Sequence, residues 1–576
     1  MNLQRKFHFF YKYFIFLVYF VANILFLSQF PFIHSDESWL SGLSRTIMHL
    51  KSPVATEPFF DIMPRFPHAI KILFHFLQVP FLSLFSYSPF AVRLLSLTAG
   101  TAALILLSRL FKRWAPDVRV PLTILLAVDI QFIYAAHFAR QEILLVLCLV
   151  LSLYLYGRGR ESGRAIWNRL SAVAIGLSIG IHPNSFLISL PLGAFLLTDL
   201  VLAAVSAEND NSGLKPAVNR IIEYILILAL FAAFFAGLSY LMDPQFLVHY
   251  RSFGESVGVS EPLYMKFFRF PDFYAKLFYR ISGTYYTPAI KLQFYLFGTS
   301  LACAPIVFLL HPPARLPITR LITALILINI GTLFMGKYSQ PSIILHFPLY
   351  YLLTGVLLQS VSGGIFTRKS GPCPAAGDTF RAASPAEGRA EEVPLLPRPR
   401  YFRWNKRAAA AIAALLVCAS LINTGSNLAE EFHIIGPKKN TAFEDYRDYL
   451  GHIEEFVPRD AMVLANLNSE YYFDYGKLRD YRNLLYLDRQ GISFENYIRS
   501  NGIEYILYPE EMDLIYERRP VWNILYGNVY GYYHEMQLFL KEKCEPAGEF
   551  RSPVYGMRIT KYSGTRDWKV KVYKVR

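Results

Sequence analysis

Apolar positions along the 576-residue chain fall mostly in long unbroken runs rather than in strict alternation. A hydrocarbon core about 30 Å thick takes about 20 apolar residues in helical form to cross. Eleven stretches approach that length: 9–30, 89–111, 120–137, 141–157, 166–183, 185–205, 220–241, 290–310, 316–335, 341–360 and 407–424. A further run over 67–86, FPHAIKILFHFLQVPFLSLF, is interrupted by Pro80 and carries His68, Lys71 and His75. It predicts a juxtamembrane helix or re-entrant segment rather than a span. The N-terminal run is too long for a signal-peptide core and no A-x-A pattern follows it, so it reads as an uncleaved first span.

The charged loops orient these spans. With a cytoplasmic N-terminus, the inner loops hold Lys112, Arg113 and Arg119, then Arg158, Arg160 and Arg164, then Lys215 and Arg315. The segment 361–406 adds Arg368, Lys369, Arg398, Arg400, Arg403 and Lys406, whereas the short outer turns hold only Arg140 and Lys337. That asymmetry follows the positive-inside rule, and counting 67–86 as a span would invert it. The predicted fold class is therefore a polytopic α-helical membrane protein with about 11 transmembrane helices plus juxtamembrane helices, and a C-terminal soluble α/β domain. The expected organisation is a membrane module over 1–360, with a first outside loop 31–88 and a long outside loop 242–289. A cytoplasmic linker over 361–406 follows, rich in Pro, Gly, Ala and Arg and expected to be disordered. A last span at 407–424 then leads to an extracytoplasmic domain over 430–576. In that domain TAFEDYRDYLGHIEEF has helical spacing, and AMVLAN, IEYILY and WKVKVYKV read as strands. No Gly-rich phosphate loop follows any of these strands.

Composition supports the membrane assignment. The chain is 53% hydrophobic, 16% aromatic and only 18% charged, against about 25% charged in soluble domains, and its mean hydropathy is +0.29. The net charge of +15 is the excess that basic inner loops produce, so nucleic acid is not expected as a partner. The five cysteines show no C-x-x-C spacing and indicate neither a zinc site nor a disulfide framework.

Candidate chemistry begins where the first span ends, at HSDESWLSGLSRTIMHL. Trp39, Leu43, Ile47 and Leu50 share one helical face, which predicts a short helix lying on the bilayer surface. Ser35 is placed to cap it, and Asp36 and Glu37 fall in the first turn, where the helix dipole favours acids. Capping explains one acid, but two at the edge of a bilayer are costly to desolvate. The chemical reading is a general base that deprotonates an acceptor hydroxyl as it attacks a sugar carbon. A phosphate leaving group departs already ionised, so inverting displacement needs this one base and no partner acid. Nucleotide sugars are cytoplasmic, and an outward site would draw its sugar from a lipid carrier.

Several motifs agree with that reading. SPFAVRLLSLTAGTAALILLSRLFKRW carries Arg93, HFARQEILLVLCLVLSLYLY carries Arg140 and Glu142, and IGLSIGIHPNSFL carries His182; GKYSQPSIILHFPLYYLLTG carries Lys337 and Tyr338. In their order over residues 9–360, with the Asp36-Glu37 pair after span one, they resemble the GT-C glycosyltransferases that use polyprenyl-phosphate sugars. That group includes the protein O-mannosyltransferases and the lipid A aminoarabinose transferase. The resemblance implies an inner-membrane glycosyltransferase whose donor is a polyprenyl-phosphate sugar and whose acceptor is a lipid, glycan or protein on the extracytoplasmic face. It implies a catalytic role for Asp36, as base, with Glu37 beside it. It also implies substrate contacts from Arg140, Glu142, His182, Lys337, Tyr338, Arg65 and His68. The family lysine is His182 here, where phosphate contact would depend on pH. In DIMPRFPHAIKI no acid directly precedes the proline, so the metal ligand of some relatives has no counterpart. Glu57 and Asp61 lie nearby, no cofactor is assigned, and a divalent metal stays open.

Each candidate also has an ordinary reading. Arg140 with Glu142, and Lys337 with Tyr338, are placed as interfacial anchors, and His346 as a core histidine. His249, Arg251, Glu255 and Glu261 lie in the long outside loop, a candidate acceptor groove. The competing class is a lipid-linked-sugar flippase or other polytopic transporter, which calls for broken helices near the midplane and internal symmetry. An oligosaccharide ligase or polymerase on a related scaffold is a third reading.

Overall fold

The computed structural model describes residues 3–206, 213–279, 288, 290–336, 338–362, 406–431, 444–556, 558 and 568–576. The predicted linker and Lys337 lie outside the described residues. The membrane module opens with α1 (Leu3–Ile24), α2 (Ser35–Leu50), α3 (Ile72–Phe85) and α4 (Pro89–Trp114). It continues through α5 (Arg119–Ala127), α6 (Ile130–His137), α7 (Glu142–Ser162), α8 (Ala165–Ser178), α9 (Ser185–Ser206) and α10 (Leu214–Met242). The long outside loop forms α11 (Phe246–Ser256) and α12 (Leu263–Tyr279), and α13 (Lys291–Leu310), α14 (Arg315–Thr332), α15 (Phe347–Val361) and α16 (Lys406–Glu431) complete the bundle.

Among the described residues, eight helices are long and apolar enough to cross a membrane, or nine if one bent pair is a single span. Each of the eleven predicted runs holds a helix, and two of them take a form other than one long rod. The run 120–137 is α5 followed by α6, bent by 58°. The cause is Asp129, whose Oδ1 accepts the N–H groups of Gln131 and Phe132 and so caps a new helix inside an apolar run. Its Oδ2 accepts from Gln293 at 2.9 Å and Tyr351 at 2.6 Å, so the buried carboxylate is fully occupied. The run 166–183 yields only the 14-residue α8, because Pro183 disfavours helical geometry at His182. The helix of the first run, α1, ends at Ile24, short of residue 30. The run 67–86 forms the short apolar helix predicted for it.

The helix α2 departs from expectation more deeply. Its N-cap is His34, not Ser35: the His34 ring nitrogen Nδ1 accepts the N–H of Asp36 at 3.0 Å, and Glu37 returns a bond to the His34 N–H. That is a capping box. Much of α2 is also buried within the protein. Leu43 and Ile47 pack with Ala55, Ala69, Ile72 and Phe235. Its serines bond inward, Ser44 Oγ to Gln78 at 2.6 Å and to His75 at 2.8 Å, and Ser41 Oγ to Tyr471 at 3.0 Å. A Cβ on Gly42 would stand 2.5 Å from the Phe59 ring, so only glycine lets the loop approach this closely.

The C-terminal domain supplies Tyr471. It begins with α17 (Tyr446–Glu454), capped by Asp445, and is built on β1 (Val463–Ala465), β2 (Leu478–Asp480), β3 (Tyr505–Pro509), β4 (Cys544–Ser552) and β5 (Trp568–Val575). The sheet order is β2-β1-β3-β5-β4, parallel across the first three strands and antiparallel across the last two pairs. The strands predicted from AMVLAN, IEYILY and WKVKVYKV are β1, β3 and β5; β2 and β4 lack an apolar pattern that announces them. The domain shares one apolar core with the first loop, where Phe32, Ile33, Phe59 and Phe60 pack with Tyr446, Tyr471 and Tyr555. The Phe59 carbonyl accepts from the Asp480 N–H and from Asn483 Nδ2.

Glu470 is buried at this junction beside Arg45 of α2. Burial pushes its carboxyl up to about 8, although Arg45 works the other way. A raised folded-state pKa means that its contribution is complete below the unfolded value of about 4.3 and is lost as the pH rises through about 8. Resistance of the domain junction to proteolysis is therefore expected to fall between about pH 5 and pH 9, and Glu470→Gln to flatten that profile.

Candidate active site

The acidic pair divides into two unlike residues. Glu37 is fully buried and receives four donors: Arg93 Nε at 2.8 Å and the Ala139 N–H at 2.9 Å on Oε1, and Arg93 Nη2 at 2.7 Å and the His34 N–H at 3.1 Å on Oε2. Arg93, equally buried on α4, also donates to the Leu27 carbonyl at 3.0 Å. The Glu37–Arg93 pair thus ties the first turn of α2 to α4, to the turn before α7 and to Leu27 just beyond α1. Both oxygens of Glu37 are occupied by donors within the protein.

Asp36 points to the open side, with its side chain 26% exposed. Arg140 Nη1 meets its Oδ2 at 2.5 Å, and the same guanidinium reaches Glu142 at 3.1 Å. The His34 Nδ1 lies 3.8 Å from Asp36, but because that nitrogen accepts a backbone N–H the ring is neutral there. Burial lowers the His34 pKa in the same sense. His182 lies nearby, in the turn between α8 and α9, with its Nδ1 accepting from the Asn184 N–H. Burial, opposed by Glu142 and aided by Arg140, lowers its pKa to about 4.

A second cluster stands one turn along α2. Trp39 Nε1 donates to Glu57 at 2.8 Å, and Arg65 binds the same carboxylate through Nε at 2.9 Å and Nη2 at 2.7 Å, with Lys71 at 3.3 Å. Burial acts to raise the Glu57 pKa, but Arg65 and Lys71 outweigh it and hold the carboxyl well below its ordinary range. His68 is pushed down to about 3 by burial, Lys71 and Arg65. These ion pairs occupy Glu57, and Asp61 is engaged by Tyr497 at 3.0 Å and Arg479 at 3.6 Å. Among the described residues no three His, Cys, Asp or Glu side chains converge as metal ligands.

The structure adds two cations that the sequence did not single out, Arg482 and Arg558 of the C-terminal domain. The Arg482 guanidinium lies 4.4 Å from the Trp39 ring centroid and 4.9 Å from that of Phe60. Its Nε donates to Asp480 at 2.7 Å, and Arg558 stands 3.6 Å from the same oxygen. Arg482 Nη2 and Arg558 Nη1 are buried and make no hydrogen bond. Burial and the neighbouring Arg558 push Arg482 down to about 10, with Asp480 and Asp36 acting against them. Two guanidiniums beside one carboxylate, with unused donors, suit an anion. They come from positions more than 440 residues beyond Asp36, and no local motif marks them.

The structure therefore brings Asp36, Glu37, Arg140, Glu142 and His182 together, with Arg65, His68 and Lys71 one turn away. Tyr338 is engaged elsewhere, donating to the Lys266 carbonyl of α12 at 2.8 Å. In the long outside loop, His249 stacks on Phe66 and bonds Asp243 at 2.6 Å, whereas Arg251 pairs with Glu255 and Arg269 with Glu261 on exposed helix surface. His346 lies buried near Thr332, at 3.5 Å.

Part of the chain is similar to a known family. Residues 68–207 match the family model described as dolichyl-phosphate-mannose-protein mannosyltransferase. That segment holds Arg93, Arg140, Glu142 and His182, and the chain resembles the GT-C glycosyltransferases of this type. Among solved structures the chain is similar to ArnT from Cupriavidus metallidurans bound to undecaprenyl phosphate, at 12% identity and a TM-score of 0.49, over 86% of this chain and 95% of that one. The apo state of ArnT from the same organism gives 12% identity and a TM-score of 0.46, over 84% and 93%. No curated protein sequence matches the chain.

Proposed function

We propose that this protein is an integral-membrane glycosyltransferase that moves a sugar from a polyprenyl-phosphate carrier to a hydroxyl acceptor on the extracytoplasmic face, with inversion. The observation that carries the reading is the division of the acidic pair: Glu37 is locked by four donors, while Asp36 stays partly open beside Arg140. The acceptor hydroxyl hydrogen-bonds to Asp36, which takes its proton as the oxygen attacks the anomeric carbon. The bond from that carbon to the phosphate oxygen breaks, and polyprenyl phosphate leaves with the electron pair. Cations around the site stabilise the charge that develops on the phosphate; Arg140, Arg65, Lys71, Arg482 and Arg558 are the available groups. The basic inner loops support an inner-membrane location with the site and the C-terminal domain outside.

The break at Asp129 is the one feature a transporter reading would use. Its four hydrogen bonds leave no acceptor for cargo.

The test is label transfer by the full chain in proteoliposomes, from a polyprenyl-phosphate-linked radiolabelled sugar to a membrane glycolipid and glycan extract. Transfer is expected from the wild type. Arg482→Gln is expected to lower kcat about tenfold with a smaller change in KM, as loss of one charge-assisted hydrogen bond to charge that develops in the transition state does. Movement of the lipid-linked sugar across the bilayer without any label on an acceptor would favour the flippase instead.

A further inference from the structure

At the far end of α7, away from Asp36, a second cluster of charge is assembled from four helices. Asp199 of α9 is buried, and Arg320 of α14 donates to its Oδ1 while the Tyr156 hydroxyl of α7 donates to Oδ2 at 2.8 Å. Two bonds already satisfy the carboxylate. Two more arginines nevertheless converge on it, Arg160 of α7 at 3.5 Å and Arg220 of α10 at 3.9 Å. The neighbouring Arg169 is neutralised by Glu223, at 2.9 Å. Three guanidiniums therefore share one carboxylate, a surplus of two positive charges. The Nε atoms of Arg220 and Arg320 are buried and have no hydrogen-bond partner. Buried donors without acceptors are costly, and a helix lock needs only the Arg320–Asp199–Tyr156 arrangement.

The position is informative. Tyr156 and Arg160 follow Glu142 by 14 and 18 residues of continuous helix, or about 21–27 Å at 1.5 Å per residue. The cluster thus sits near the opposite boundary of the hydrocarbon layer. Beside it, a small cleft between α8, α9 and α10 is lined by Arg220 together with Asn168, Ser171 and Glu223 as well as by Leu192 and Leu196. Guanidiniums in surplus over their carboxylate at a membrane boundary match a lipid whose headgroup is anionic.

We propose that this cluster is a binding site for the headgroup of an anionic phospholipid, with the phosphate on Arg160, Arg220 and Arg320. The phosphate would accept from the donors that now have no partner, and it would tie α7, α9, α10 and α14 together at the end of the bundle remote from the transferase site.

The test uses the full-length protein in a non-ionic detergent. It is titrated with dioleoylphosphatidylglycerol, dioleoylphosphatidylcholine or inorganic phosphate, and retained lipid is read by native mass spectrometry and the thermal unfolding midpoint is followed. Phosphatidylglycerol is expected to bind about 30-fold more tightly than phosphatidylcholine, from about 1 kcal/mol for each of two surplus charges. Inorganic phosphate is expected to leave the midpoint unchanged. The double variant Arg160→Gln/Arg220→Gln is expected to lose the preference, and Arg220→Lys to keep most of it. Because the quantity compared is the difference between the two lipids, a variant with a lowered midpoint still reports on the site. Equal binding of the two lipids, a response to phosphate matching that to phosphatidylglycerol, or a double variant that keeps the wild-type preference would each overturn the proposal. None of these readouts depends on sugar transfer.

Discussion

Asp36→Asn is expected to lower label transfer by about 10²–10⁴-fold, the range that removal of a general base produces. The amide has nearly the shape of the carboxylate, and the helix cap is made by His34 and Glu37 rather than by Asp36. Thermal stability and binding of the lipid-linked donor should therefore remain near wild type, and the loss should appear in kcat. The measurement is single-turnover transfer alongside donor binding. Unimpaired transfer by the Asn variant would remove Asp36 from the reaction, and loss of folded protein would place it with Glu37 as a structural acid.

The second large effect is at Glu37. Glu37→Leu leaves the Arg93 guanidinium, which is fully buried, without its bidentate partner. Removing one member of a buried ion pair costs about 3–5 kcal/mol, because the remaining charge has no compensation. The single variant is therefore expected to be poorly recovered from membranes and to unfold at a much lower temperature. The double variant Glu37→Leu/Arg93→Met replaces both charges by apolar groups of similar size and is expected to regain most of the stability. It should regain little transfer, since the Glu37 bonds to the His34 and Ala139 N–H groups, which hold the first turn of α2, are absent. Recovery of stability and transfer together would contradict a positioning role for Glu37.

The two carboxylates were adjacent letters in the sequence, and the pattern around them predicted a helix with acids in its first turn. What it did not disclose was which acid faces inward. Successive residues on a helix point about 100° apart, so neighbours meet different surroundings, and those surroundings come from α4 and the turn at Ala139. The same holds for the cap. Ser35 is the usual residue type for that position, yet the chain enters from 31–34 in a direction that puts His34 at the N-cap. The bend at Asp129 shows a third version of this. A single polar residue in an apolar run reads as a tolerated defect until its partners, Gln293 and Tyr351, are known.

The sequence by itself determined where the chain meets the membrane, because a hydrophobic run of sufficient length has few other stable placements. It also determined the place of the Asp36-Glu37 pair after the first helix and three of the five strands, since these are local patterns read over a few turns or residues. Only the tertiary structure decided that α2 is largely enclosed by protein, and that Arg482 and Arg558 join Trp39 beside Asp36. It alone decided, too, that three arginines converge on Asp199. Periodicity records which face of an element is apolar, but it carries no term for what a distant segment places against that face.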